Sequence, residues 1–365
     1  MGKIEIDHTG ANAGITLSSD GTDLLLDGTA IGGGGGTALE LYAENPVTPT
    51  APSATGDNAV TIGSNARAST PNSIAIGTDA NTLSGTIGHN VAIGYNATAS
   101  GHSSAAIGYN ATVSSDAALA IGYGAVVAVR DYATAIGRAY ASGTDSFAAA
   151  IANNTSSYGA AGNNSIAMGS LSKATQTRSF AVGYANQATA FAAGVIGVES
   201  EATAFNAMAY GSSAKSAVKG KHAFGTRQTA GVGKIQAGLH ILWAATSNAT
   251  PASLATDGAS AASDNQAILP NDSAFAFHGT IVARENASFG TDCAAWKVEG
   301  LIRREGSAGT TVLVNSATTV LDNTPAWGMA MTADTTNGGL AITVTGAAST
   351  NIRWVATINT SEVTY

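Results

Sequence analysis

The chain has one cysteine, Cys293, among 365 residues, which excludes an intrachain disulfide framework and fits assembly in a reducing compartment. Charge is sparse. Only 11% of residues are charged, and 24 acidic against 16 basic residues give a formal net charge of −8 and a pI near 5.1. That balance speaks against nucleic acid as a partner. No segment approaches ~18 consecutive apolar residues, so no membrane insertion is expected. Residues Met1-Gly2-Lys3-Ile4-Glu5-Ile6-Asp7-His8 lack an apolar run of signal-peptide length. The six histidines show no His-x-His spacing, and no metal site is indicated. The Gly32 to Gly36 run lacks the Lys-Ser/Thr of a phosphate loop, so no cofactor is indicated either.

What the chain does have is glycine, 44 residues of it, and a mean hydropathy of +0.12, too apolar for a disordered polar chain. Between Gly63 and Gly225 one short phrase recurs twelve times. Clear copies read Asn72-Ser73-Ile74-Ala75-Ile76-Gly77 and Asn164-Ser165-Ile166-Ala167-Met168-Gly169. The phrase closes at Gly63, Gly77, Gly94, Gly108, Gly122, Gly137, Ala152, Gly169, Gly183, Gly197, Gly211 and Gly225. Seven of the eleven steps are 14 residues, two are 15 and two are 17. A fixed short period with small insertions marks a solenoid whose units stack on their neighbours. Fourteen residues suffice for one coil of two short strands and two turns. At about 4.8 Å per coil, eleven steps predict a rod of roughly 50 to 55 Å.

Within each copy, the residue before the closing position is large and apolar, from Ile62 and Ile76 to Tyr210 and Phe224. Two residues earlier stand Val60, Ile74, Val91, Leu119, Ile166 and Phe180. Such period-two placement predicts a strand with one face buried. The residue between them is Ala in ten of twelve copies, with Thr61 and Val195 the exceptions. A solvent-facing position should drift among polar residues of many sizes. Persistent Ala therefore predicts that the second face is covered too. One face is the interior of the coil and the other an interface with another chain; the pattern leaves open which is which. The closing glycines are read as turn residues with conformations that a β-carbon resists. Ala152, beside a 17-residue step, marks one irregular coil, where a bulge or loop is expected.

This phrase at this spacing resembles the YadA-like head repeat of trimeric autotransporter adhesins, over about 170 of 365 residues. The resemblance implies a left-handed parallel β-roll of about twelve coils with three chains about a common axis, a homotrimer. The remainder departs from those adhesins. No heptad stretch links the roll to the C-terminus, and the C-terminal strands, with Arg303, Arg304 and Arg353, lack the alternation and aromatic girdles of a membrane barrel. Residues 37 to 56, from Thr37-Ala38-Leu39-Glu40-Leu41-Tyr42 through Pro46, Pro49 and Pro52, are similar to a segment of tailed-phage structural proteins, especially of phages infecting marine cyanobacteria. Stretches around Trp296-Lys297-Val298-Glu299-Gly300 and Ser349-Thr350-Asn351-Ile352-Arg353-Trp354 resemble the end domain of phage fibre-like proteins. These resemblances place a YadA-like roll in a virion built in a host cytoplasm.

Four regions follow. Residues 1–31 read as a small β segment that docks on another virion protein. Residues 32–56 read as a glycine hinge and a proline-stiffened spacer. Residues 57–230 are the roll. Residues 231–365 drop the phrase, hold all four tryptophans and read as an antiparallel β-sandwich or jelly roll, with Asn337-Gly338 as a hairpin signal.

A glycan depolymerase would need paired carboxylates. Residues 57–225 hold seven acids: Asp57, Asp79, Asp116, Asp131, Asp145, Glu199 and Glu201. Asp116 and Asp131 share an offset and could stack one coil apart, but other copies place Pro71, Gly88, His102 and Asn163 there, which reads as a turn position. No catalytic residue is expected. Tyr95, Tyr109 and Tyr123 follow successive closing glycines and predict an aromatic ladder, able either to bind sugar rings or to stack for stability alone. Trp243 and Trp327 are the other candidates for contact with a host-surface glycan or protein, whereas Trp354 in an alternating strand reads as core. The expected function is a non-enzymatic trimeric virion fibre, on tail or capsid, that projects a receptor-binding head. The alternatives are a capsid decoration protein and a tailspike depolymerase.

Overall fold

The computed structural model describes residues 50–83, 88–150, 157–226, 230–285, 292–323 and 325–365, with the backbone of five short strands nearer the N-terminus. Two compact units are present, Met1–Ala125 and Val126–Tyr365.

The first unit begins with an antiparallel meander of Ile4–Ile6, Ile15–Ser19, Leu24–Leu26 and Thr29–Ala30. The rest of the expected docking segment, and the glycine hinge, lie outside the described residues. Two rows of parallel strands follow. Three-residue strands such as Ile74–Ile76, Val91–Ile93 and Ala105–Ile107 form one row, and two-residue strands such as Arg67–Ala68, Asn81–Thr82 and Thr98–Ala99 form the other. Equivalent residues of successive copies pair directly: Val91 with Ala105, Ala92 with Ala106, Ile93 with Ile107. The stack starts before Asp57, because Leu39–Leu41, in the expected spacer, pairs in parallel with Val60–Ile62.

Each coil is two half-turns. Asn58, Asn65, Asn72 and Asp79, spaced seven residues apart, all have φ of 55–59°, and Asn96, Ser103, Asn110 and Ala117 continue the series. Asn and Asp tolerate this left-handed region better than most residues. Their side chains also bond along the stack, Asn65 Nδ2 donating to Asp79 Oδ1 at 2.7 Å and Asn96 Nδ2 to Asn110 Oδ1 at 2.9 Å. The closing glycines add a second constraint. Gly94 has φ +127°, and a β-carbon there would lie 2.5 Å from the carbonyl oxygen of Gly108 in the next coil.

The two strand faces are now assigned. The persistent Ala points into the coil: Ala75, Ala92, Ala106 and Ala120 are fully buried, facing a narrow interior shared with Ala99, Ala111 and Val113. The large flanking residues point outward, and Ile74 and Ile121 are 37% and 38% exposed. A 14-residue coil leaves room inside for small side chains only, so hydrophobic bulk sits on the outside.

The second unit has two rows of parallel strands of the same kinds, from Val126–Val127 to His222–Gly225, with Ala135, Ala167, Ala181, Ala209 and Ala223 fully buried. Ile136, Ile166, Met168, Ile196 and Phe224 stand outward and exposed. Between Val60–Ile62 and His222–Gly225 the two units together hold twelve strands of this longer kind among the described residues. The irregular coil is corrected by its register: Ile136 pairs with Ala149 and Gly137 with Ala150, so the closing position is Ala150 rather than Ala152. Ala148 fills the interior in that coil. Ile151, large and apolar, imitates the position before a closing residue two places beyond the true one; residues 151–156 lie outside the described residues.

After the last coil the chain turns antiparallel, Ile235–Thr246 pairing with His222–Gly225. A five-stranded sheet then runs in the order Ile235–Thr246, Ile352–Thr364, Ser273–Glu285, Cys293–Arg304, Val312–Asp322. A smaller sheet centres on Gly339–Thr345, flanked by Gly328–Asp334 through a hairpin at Asn337-Gly338 and on the other side by Ala252–Ser253 and Ala267–Ile268. Strict alternation sends Phe275, Phe277 and Ile281 of the large sheet against Leu254, Leu340 and Ile342 of the other layer, which makes the core of a β-sandwich.

Candidate functional site

Alternation along the repeat places the tyrosine ladder. Tyr95, Tyr109 and Tyr123 each follow a closing glycine, so the parallel register sets their rings one above another. Ring centroids are 5.1 and 5.0 Å apart, with interplanar angles of 14° and 3°. All three are exposed. In the second unit Phe191 and Phe205 stack in the same manner at 5.2 Å, with the Arg178 guanidinium 5.5 Å above Phe191. Self-stacking accounts for the ladder's geometry, since Tyr109 has a ring on each of its flat faces.

Two polar side chains of the roll, Asp116 and Asn163, serve its turns. Asp116 accepts the His102 backbone N–H at 2.7 Å and faces His102 Nδ1 at 3.4 Å; Asn163 Oδ1 accepts the Thr144 N–H at 3.1 Å. Both fasten a turn to the preceding coil. Glu201 pairs with Lys215 at 3.0 Å at the surface. Among the described residues no group of three or more His, Cys, Asp or Glu is placed to hold a metal ion, and no helix is long and apolar enough to cross a membrane.

The tryptophans divide sharply. Trp296, Trp327 and Trp354 are at most 4% exposed and pack together, with Trp354 centroids 6.0 Å from Trp296 and 5.7 Å from Trp327. Trp354 Nε1 donates to Thr246 Oγ1 at 2.9 Å, satisfying its buried donor. The expectation that Trp327 contacts a host surface is therefore corrected: it lies one residue before the strand Gly328–Asp334 and closes the sandwich core. Trp243 is different. It lies on the outer face of the large sheet, 45% exposed, beside Val355 and Val282 in register.

That outer face also carries two arginines, Arg284 and Arg353. Arg353 and Arg284 are directly opposite each other on neighbouring strands, and Ala245, two residues beyond Trp243, is opposite Arg353. Trp243, Val282, Arg284, Arg353 and Val355 line a shallow concavity of about 590 Å³. Period-two alternation gives each residue's face, but only the pairing register brings two distant arginines side by side.

Burial also singles out His240 of the strand Ile235–Thr246, wholly enclosed with neither ring nitrogen hydrogen-bonded. Burial, and then the nearby Lys221 charge, hold its pKa well below the usual 6.5. It is a neutral core histidine.

No curated protein sequence matches the chain. Among solved structures, the chain is similar to the tailspike protein gp49 from Acinetobacter baumannii bacteriophage Fri1, a capsular polysaccharide depolymerase, at 9% identity and a TM-score of 0.22, over 82% of this chain and 61% of that one. It is also similar to the tailspike protein of Acinetobacter phage vB_ApiP_P1 at 8% identity and a TM-score of 0.18, over 86% of this chain and 74% of that one. Neither likeness is strong enough to transfer a substrate or a reaction, and both proteins come from Acinetobacter phages rather than phages of cyanobacteria. The repeat itself is matched: residues 54–80, 91–111, 99–125 and 160–186 fit the YadA head domain repeat.

Proposed function

We propose that this chain is a non-enzymatic adhesive fibre of a phage virion, which assembles as a homotrimer through the roll and presents its C-terminal sandwich to a host-surface glycan or protein. The observation that carries the reading is the inverted packing of the roll. Its interior is filled by Ala, while Ile121 in the first unit and Ile136, Ile166, Ile196 and Phe224 in the second stand on the outer face, each 38–47% exposed. A soluble chain with apolar residues repeated along one face needs a partner for that face, and the YadA head repeat supports a second and third copy in that place. Each large apolar side chain fully covered there contributes about 1.5–3 kcal/mol. In this reading the N-terminal meander faces the particle and the sandwich is distal.

Native mass measurement of the purified chain should give three copies. Added in excess, it should compete with intact phage for adsorption to host cells. Imaged particles should show the sandwich farthest from the capsid or tail body. A folded monomer at micromolar concentration rules out the assembly, and release of reducing ends from host capsule would make the chain a depolymerase instead.

A further inference from the structure

We propose that Trp243, Arg284 and Arg353 form a binding site for a carboxylated sugar residue of a surface polysaccharide. This names a ligand class for the adhesive reading above and rests on it.

The starting point is an electrostatic conflict. Arg284 and Arg353 are directly opposite each other on adjacent antiparallel strands, both exposed on one face. Like charges so placed repel. Neither arginine has an ion pair among the described residues, although Glu285 and Asp292 lie on the same hairpin. The chain as a whole is acidic, at −8, so its general charge does not explain two juxtaposed cations. A carboxylate between them relieves the repulsion, and a guanidinium accepts that geometry through two parallel N–H donors.

Beside this pair stands the domain's one exposed tryptophan. The Trp243 backbone is bridged to Ala255, its N–H donating to the Ala255 carbonyl at 2.8 Å and its carbonyl accepting the Ala255 N–H at 3.2 Å. Gly258, with φ +68°, lets the following loop close against the indole; a β-carbon there would lie 2.3 Å from Trp243 Cζ2. Gly258 thus covers one face of the benzo ring, and the indole, held there and through its backbone, stays 45% exposed. A ring fixed in advance loses little conformational freedom on binding. Val282 and Val355 supply an apolar floor between indole and guanidinium groups. The exposed part of the indole, the apolar floor and two guanidinium groups complement a pyranose acid, which offers C–H bonds on one side and a charged group at the rim. The concavity of about 590 Å³ is sized for one or two sugar rings.

The test uses the full-length chain, titrated with oligomers of galacturonate, mannuronate and sialate and with their carboxyl-reduced counterparts, read by calorimetry and tryptophan emission. Saturable binding of at least one acid with a change in emission is expected, and its carboxyl-reduced form should bind at least about tenfold more weakly. Arg284→Gln and Arg353→Gln should each weaken binding by about tenfold or more, with unchanged melting because both side chains are exposed. Trp243→Ala should remove the emission change, and Lys297→Gln, on the same sheet face outside the cluster, should change nothing. Equal affinity for acid and reduced forms overturns the proposal, as does undiminished binding by the double arginine variant or no binding of any of the three acids. Dissociation of the oligomer by Arg284→Glu with Arg353→Glu overturns it too, because the face is then a chain–chain contact. Adsorption competition separates this from the wider reading: a chain that blocks adsorption yet ignores all three acids loses the site and keeps the adhesive role.

Discussion

Lys221 Nζ lies 2.6 Å from Glu362 Oε2, an ion pair between the last coil of the roll and the final strand, with both side chains almost wholly out of water. Lys221 occupies the inward position that Ala193 and Ala207 hold in the two coils before it. Its ammonium group sits 5.5 Å above the Phe275 ring, while Gln236 Nε2 and the Thr360 hydroxyl complete the Glu362 carboxylate at 2.7 and 2.6 Å. The apolar stack thus ends on a charge that only the sandwich can satisfy.

Glu362→Gln leaves that buried ammonium without its counter-charge and should cost about 3–5 kcal/mol. Lys221→Met combined with Glu362→Leu removes both charges and should recover most of the loss. Calorimetric unfolding of the three proteins decides; an unshifted Glu362→Gln melt would show that the pair does not hold the junction.

His240 predicts an acid-sensitive core. Its folded pKa lies well below 6.5, mainly through burial and further through Lys221. The unfolded chain takes up a proton near 6.5 that the folded chain refuses, so stability is full above that pH and falls as pH drops below it. His240→Leu should flatten the dependence between pH ~7.5 and ~5 in urea-midpoint measurements. An identical slope in wild type and variant would refute the assignment.

Adjacent residues on one strand should fail differently. Ala120→Glu puts an unpaired charge into a filled interior and should prevent the coil from folding, at several kcal/mol. Ile121→Glu, on the outer face, should preserve the circular dichroism spectrum and lower the oligomeric state. Sedimentation of both variants distinguishes them, and a folded trimer of Ala120→Glu would mean the faces are reversed.

The glycines are not equivalent either. Gly94→Ala drives a methyl group into the Gly108 carbonyl and should cost more than about 3 kcal/mol, since neither backbone can yield without breaking register. Gly124 has φ +61° and open space where its β-carbon would stand, so Gly124→Ala should cost only about 1–2 kcal/mol. Equal melting temperatures for the two variants would contradict the close-stacking account.

The recurring phrase by itself determined the stacked coils, the strand positions, the tyrosine ladder and the glycine turns, because a solenoid's neighbours are set by period alone. Alternation likewise determined the strands of the sandwich and the burial of Trp354, and Asn337-Gly338 its hairpin. Three things were decided only in three dimensions. Which face of the repeat is inside depends on the width of the closed coil, which admits Ala120 and expels Ile121. The closing residue of the irregular coil is Ala150, because backbone register outweighs the hydrophobicity of Ile151. Finally, that Trp327 is core, Trp243 surface, and Arg284 opposite Arg353 follows from strand pairing between segments far apart in the chain, which local pattern does not encode.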